Sequence, residues 1–343
     1  MDMEKKTGDF SPLPLKIAGL GRYEPKRLVS SEELEIEHGL EKGWCVKHLG
    51  VEKRYWVEDE TPSIMGAEAA REAARQAGID LEDIDLIISA SGTASFERGL
   101  PDGGPMAQKR LGLDHSGIPC FTLQNNDLSF MLALEVCATL LVTDQYQHIL
   151  IISSEVLSRN LDMDNPGVFT LFGDGAAAAL VTFPTEAEGI GTSQLHHSMF
   201  HTYGSAADLL QSKLGYFASK IKKLKTGEMT LKMDNKAFNQ YAHTYTTELL
   251  KKLFSEKFFN MDDIKLVIPQ QLGKGYIDHL TENGFIPREK IINISHRFGF
   301  CGAASIPMTL YEAVRNEKLN RGSRFLMIGV GAGMSVGGMI MTY

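Results

Sequence analysis

Residues 81–90 read LEDIDLIISA and residues 261–270 read MDDIKLVIPQ, a match at an offset of 180. Two further pairs follow in the same order. SFMLALEVCATLL, from Ser129, stands 176 residues before SIPMTLYEAVRNE, from Ser305, and HILIISSE at 148–155 stands 176 before RFLMIGVG at 324–331. Three matches at nearly one offset imply an internally duplicated chain. A period of about 178 residues is far too long for a solenoid. It predicts two similar halves, 1–185 and 186–343, packed on each other with a long buried helix of each meeting at a pseudo-twofold axis. Neither half reads as an independent domain, because each alone would leave an apolar face open.

Around these repeats, strand-like apolar runs alternate with helical patterns. DLIISASG at 85–92 follows a capped helix expected from about Pro62 to Ala77. HILIISSE, LVIPQQ at 266–271 and RFLMIGVGAG at 324–333 are further strand candidates. Continuous Ile/Leu/Val runs separated by helices predict an α/β fold with parallel strands covered on both faces. The segment from about His201 to Thr230 is more polar and less periodic, and reads as an insertion or a lid-bearing loop.

Composition narrows the function classes. The chain has 343 residues, 43% hydrophobic and 23% charged, with a formal net charge of −8. That is an ordinary globular composition with an acidic balance, which argues against non-specific nucleic-acid binding. One basic run, Lys213, Lys220, Lys222, Lys223 and Lys225, reads as a solvated face or as an anion or carrier-protein contact. Cys45, Cys120, Cys137 and Cys301 are irregularly spaced without a CxxC pair, as expected of reduced thiols rather than a disulfide framework or zinc site. No metal site is expected, and His196, His197 and His201 lack ligand spacing. The first residues, MDMEKKTGDFSPLPL, hold no signal-type apolar stretch, and no window approaches the roughly 18 apolar residues of a membrane helix. A cytoplasmic protein with no membrane partner is expected.

Several segments together resemble ketoacyl synthase III of the thiolase superfamily over nearly the whole chain. They are GLEKGWCVKHLGVEKRYWVEDETPSIMGAEAAREAARQAGIDLEDIDLIISASGT at 39–93, LFGDGAAAALV at 171–181, LKMDNKAFNQYA at 231–242, GAASIPMTL at 302–310 and GVGAGMSVGGMIM at 329–341. The resemblance implies a five-layered αβαβα fold. It implies acyl thioesters of coenzyme A or acyl carrier protein as substrates, with no permanently bound cofactor, and a dimer formed with itself or with a ketosynthase III-like paralogue.

The family attacks thioesters with a cysteine at the N-terminus of a buried helix, where the dipole and free N–H groups favour the thiolate. In FTLQNNDLSFMLAL at 121–134 the corresponding residue is Asp127. The family's histidine position, after Pro269, holds Gln270, and its asparagine position, after Gly299, holds Phe300. Asp127 reads either as a general base or substrate-orienting anion, or as a helix N-cap. Gln270 and Gln271 can hydrogen-bond a thioester carbonyl but cannot shuttle protons. Phe300 reads as packing, with the loss of an oxyanion donor. Trp44 and Arg159 fall where the family stacks and clamps the coenzyme A adenine, with His48 where an arginine is usual. Lys274 reads as a phosphate contact or a surface lysine. Cys301 with His296 is a candidate relocated pair, and Glu97, in TASFERGLPDGG at 93–104, a candidate acid supplied across a dimer. Three expectations follow, namely a non-standard acyltransferase, a non-catalytic partner of an active ketosynthase, and cysteine-dependent condensation. The chemistry of the replacements argues against the third.

Overall fold

The computed structural model describes residues 12–92, 101–185, 193–211, 230–255, 259–282 and 285–343. Its first half runs β1 (Leu13–Pro14), β2 (Lys16–Tyr23), β3 (Arg27–Ser30), α1 (Ser31–Glu37), α2 (Trp44–Leu49), β4 (Lys53–Trp56), α3 (Pro62–Ala77), β5 (Leu86–Ser89), α4 (Gly103–Leu111), β6 (Cys120–Thr122), α5 (Ser129–Val142), β7 (His148–Glu155), α6 (Pro166–Phe169) and β8 (Gly175–Thr182). The second half runs β9 (Gln194–Thr202), β10 (Leu210–Gln211), β11 (Lys232–Met233), α7 (Asn235–Ser255), β12 (Leu266–Pro269), α8 (Lys274–Glu282), α9 (Ser295–Phe298), α10 (Ser305–Arg315), β13 (Arg324–Gly331) and β14 (Ser335–Thr342).

Two five-stranded sheets carry the fold, in the orders β2-β8-β7-β5-β6 and β1-β9-β14-β13-β12. Helices α3 and α4 cover the outer face of the first sheet, α5 and α10 fill the space between the sheets, and α7 with α8 covers the second. These are the five layers of a thiolase-type α/β fold. The sheets are mixed, which corrects the all-parallel expectation. β5 runs parallel to β6 and β7, and β12 parallel to β13, but β2, β8, β9 and β14 enter antiparallel. The reason is local: β13 turns straight into β14 through three residues, too few for a parallel crossover.

Helix α3 shows how sequence sets the outer packing. Pro62 opens it and Gly78 closes it in the left-handed conformation, φ 68°. Its inner face is mostly alanine, and β2 answers with glycine. A Cβ at Gly21 would lie 1.9 Å from the Ala69 carbonyl oxygen, and one at Gly19 would lie 2.1 Å from that of Ala73. Helix and strand thus touch backbone to backbone.

Helix α5 is apolar around most of its circumference, as a helix between two sheets must be. Arg22 ties β2 of the first sheet to α10. Its guanidinium pairs with Glu312 of α10 and lies over the rings of Phe298 and Tyr311. Tyr311 in turn donates to Glu72 of α3 at 2.7 Å. Among the described residues no helix is long and apolar enough to cross a membrane.

Candidate active site

The site is built where the start of α5 meets the ends of β12 and β13. Before α5 the chain makes a tight turn. Asn126 takes a positive φ of 47°, tolerable for asparagine, while the Leu128 amide donates to the Asn125 carbonyl at 3.0 Å and the Ser129 amide to that of Asn126 at 3.1 Å. Leu128 is the N-cap, with no side-chain capping bond. Asp127 therefore stands one residue outside the cap and does not serve as the helix cap. Its Oδ2 instead accepts the Ala332 N–H at 3.2 Å, from the turn between β13 and β14. Gly331 permits the approach, since a Cβ there would sit 3.2 Å from both Oδ2 and the Asp127 nitrogen. Asn126 Nδ2 donates to the Ala332 carbonyl at 3.2 Å and ties the same turn down.

Burial pushes the Asp127 carboxyl up to about 6, against the lowering effect of the Ala332 amide and its own. Such a group is largely ionised at neutral pH and exchanges its proton readily there, as a general base requires.

Gln270 and Gln271 follow β12 and have opposite situations. Both are fully buried. Gln271 is saturated: Nε2 donates to the carbonyls of Pro269 (2.8 Å) and Ile292 (3.4 Å), and Oε1 accepts from Ile294 (2.8 Å) and Ser295 (3.1 Å). It holds the approach to α9 and has no capacity left for a ligand. Gln270 Nε2 donates to Gly302 O at 3.1 Å and reaches Asp127 O at 3.5 Å, while its Oε1 has no partner among the described residues. Around them the wall is apolar. A Cβ at Gly329 would meet Leu128, Ile306 and the Gln270 Cβ at 3.0–3.3 Å, and one at Gly337 would meet Phe200 and Leu128.

Phe300 lies in the apolar core with its ring 5.2 Å from that of Phe172, and its backbone is bonded to Leu171 and Gly173. Cys301 is buried and donates to the Phe298 carbonyl at 3.4 Å. Burial pushes its thiol well up, and Asp174 and Glu155 add to the shift. That is the opposite of an activated nucleophile.

Glu155 is a residue that sequence reasoning passed over. It closes β7, accepts the Gly92 N–H at 2.5 Å, and lies against Gly302, whose carbonyl anchors Gln270. The sequence carries no clear signal for it, since Glu155 follows two serines at the end of HILIISSE and its contacts come from segments distant in the chain.

Lys274 and Arg159 lie at the surface, Trp44 is half-buried and His196 is buried. Trp44 opens α2 and packs on His48, ring centroids 4.7 Å apart. Gly50, after α2, abuts Lys274, where a Cβ would come within 3.1 Å of the lysine Cβ, so these two candidates share a neighbourhood. The Lys274 ammonium is 2.8 Å from Asp278. Arg159 is exposed and donates to the carbonyls of Glu58 and Glu60 at 3.3 and 3.4 Å. His196 is bonded to Thr342 at 2.7 Å within the second sheet. Among the described residues no three His, Cys, Asp or Glu side chains converge as a metal site would require. Glu97 and the Lys213–Lys225 run lie outside the described residues.

Residues 121–198 match the model of 3-oxoacyl-[acyl-carrier-protein] synthase III, and residues 254–343 match that family's C-terminal model. The β-ketoacyl-[acyl-carrier-protein] synthase III of Clostridium perfringens is 30% identical over 327 residues, covering 95% of this chain and 98% of that one. The Aquifex aeolicus enzyme of the same name is 28% identical over 329 residues, covering 96% and 99%. The solved 3-oxoacyl-[acyl-carrier-protein] synthase III of Aquifex aeolicus superposes with a TM-score of 0.85 at 27% identity, covering 96% of this chain and all of that one. The priming β-ketosynthase of the R1128 polyketide pathway gives 0.85 at 25% identity, covering 97% of each. With that extent of sequence and fold in common, the chain belongs to the β-ketoacyl-[acyl-carrier-protein] synthase III family.

Proposed function

We propose that this protein is a non-standard ketosynthase III-like acyltransferase of a specialised acyl or polyketide pathway, acting on thioesters of coenzyme A or acyl carrier protein without a cysteine nucleophile. Asp127, Gln270 and Phe300 stand in the positions of the family's Cys-His-Asn set. The observation that carries the reading is Asp127, a carboxyl with a pKa raised to about 6, held by Ala332 against an apolar wall. A carboxylate is a poor acyl acceptor, because an acyl-aspartyl anhydride is far more labile than a thioester. As a base it takes the proton of the incoming acceptor while the acyl group passes directly, with no acyl-enzyme. Trp44, Arg159 and Lys274 contact the coenzyme A or phosphopantetheine portion, which enters and leaves as substrate. The protein works in the cytoplasm as a dimer, with itself or with a ketosynthase III-like paralogue, its halves 1–185 and 186–343 forming one cooperative unit.

A second reading is favoured by Phe300 and Gln271, which are wholly engaged in packing and internal hydrogen bonds. In it the chain is a non-catalytic subunit paired with an active ketosynthase III-like protein.

Turnover and intact mass separate the two. The wild type is incubated with a panel of acyl-coenzyme A and acyl-carrier thioesters beside Asp127→Ala and Asp127→Cys. Thiol release that Asp127→Ala abolishes, rising with pH through about 6 and leaving no mass adduct, is the expected result. A stable adduct on Cys301 would overturn the assignment of Asp127. Silence across the panel would transfer the function to the partner-subunit reading.

A further inference from the structure

The site offers acceptors without matching donors. Asp127 takes one N–H across the fold, from Ala332, and no ion pair to it occurs among the described residues. The orientation of Gln270 is forced. Its Nε2 faces the carbonyls of Gly302 and Asp127, at 3.1 and 3.5 Å, and turning the amide over would set oxygen against two oxygens. Oε1 is therefore the surplus atom. It is buried, has no partner among the described residues, and lies one amide width from the group facing the Asp127 carbonyl. A buried carbonyl oxygen in this position calls for a donor.

We propose that the acyl acceptor of this site is a primary amine, bound as its ammonium between the Asp127 carboxylate and Gln270 Oε1. The inference rests on the acyltransferase reading above for its chemistry, but not for its binding. A primary ammonium brings three N–H donors and one positive charge, which satisfies both acceptors and balances the carboxylate. A hydroxyl brings one donor and no charge. A malonyl thioester brings a carboxylate of its own, which Asp127 and the Gln270 oxygen both repel.

In the transfer, the ammonium gives one proton to Asp127 and its nitrogen attacks the thioester carbonyl carbon. As the carbon–sulfur bond breaks, the protonated Asp127 delivers that proton to the departing thiolate. The new amide nitrogen then loses its extra proton through Asp127 to solvent. The sum is ammonium plus thioester giving amide, thiol and one proton.

The test uses the full chain with hexylammonium chloride, 1-hexanol and sodium hexanoate as probes in calorimetric titrations at neutral pH. Hexylammonium should bind at least roughly tenfold more tightly than hexanol, and hexanoate should not compete. Asp127→Asn, nearly isosteric, should erase the preference. In the wild type, hexylammonium affinity should fall roughly tenfold per pH unit below about 6, as the carboxylate protonates. Equal binding of hexanol and hexylammonium, or a preference that survives in Asp127→Asn, overturns the proposal. Adding octanoyl-coenzyme A tests the chemistry. N-hexyloctanamide with free coenzyme A supports both readings. Selective hexylammonium binding without thiol release sustains the amine site and defeats the acyltransferase reading. Turnover to octanoate alone, or to a β-ketoacyl product with a malonyl thioester, sustains the acyltransferase and overturns the amine.

Discussion

Asp127 and Asp174 are both aspartates whose carboxyls burial pushes up, yet the structure equips them in opposite ways. Asp174 is saturated. It accepts from the amides of Val57, Leu157 and Ser158 at 2.7–2.9 Å and from the Ser158 hydroxyl, and so joins three segments around the GDG turn at 173–175. Asp127 holds one amide from a distant turn and keeps capacity over. Burial alone does not distinguish a site from a brace; the hydrogen-bonding capacity left after folding does. Gln271 and Gln270 repeat the contrast with adjacent, identical side chains.

The contrast yields graded expectations. Asp174→Ala should be the most damaging change, costing about 4 kcal/mol or preventing folding, because it leaves the buried Leu157 amide and the partly buried Val57 and Ser158 amides without an acceptor. Urea denaturation measures it, and a loss below about 1 kcal/mol would remove the distinction between the two aspartates. Gln271→Leu should cost about 2 kcal/mol through the orphaned amide of Ile294, since that of Ser295 keeps Asn293 Oδ1 at 2.9 Å, whereas Gln270→Leu should cost less in the same assay.

Asp127→Asn should move stability the other way. The folded carboxyl titrates near 6 against an ordinary value of 3.8. The folded state therefore holds the proton through that window, and stability declines as pH rises from about 4 to about 6. At neutral pH the asparagine variant should be more stable by on the order of 2 kcal/mol, a gain that disappears below about pH 4. Thermal melts across pH check it, and a pH-independent difference would mean that Asp127 is not strained by burial. Lys274→Ala should be nearly silent in stability, below about 0.5 kcal/mol, since its partnership with Asp278 is exposed. Its informative readout is the KM for a coenzyme A thioester, which should rise if the ammonium reaches a phosphate.

The architecture was legible where one kind of force dominates. The expected helix from Pro62 to Ala77 and the strand 148–155 coincide with α3 and β7, because a proline start, a glycine stop and an unbroken apolar run each admit a single local solution. Strand β8 was harder to read, since its alanines carry little strand preference and are chosen for closeness to α3. In the site, Asp127 was legible through the resemblance of FTLQNNDLSFMLAL at 121–134 to the family's nucleophile segment. The difference between Gln270 and Gln271 was not, because it depends on which side of the chain leaving β12 each side chain takes and on the distant residues 292–302 that receive them. Nor was Glu155, whose meaning comes from Gly92 and Gly302, segments far from it in the chain.

Strand β1 has a consequence for how the molecule is made. Leu13 and Pro14 pair with Leu195 and Gln194 and so lie in the sheet of the second half, beside β9. β9 itself pairs with β14 at the far end of the chain. During synthesis, a segment that leaves the ribosome early must therefore wait for strands translated about 180 residues and more later before its neighbours exist. The nascent first half can assemble its own sheet while keeping one face and one strand uncommitted. A chaperone that shields that face during elongation would protect it from association until β9 and β14 are made.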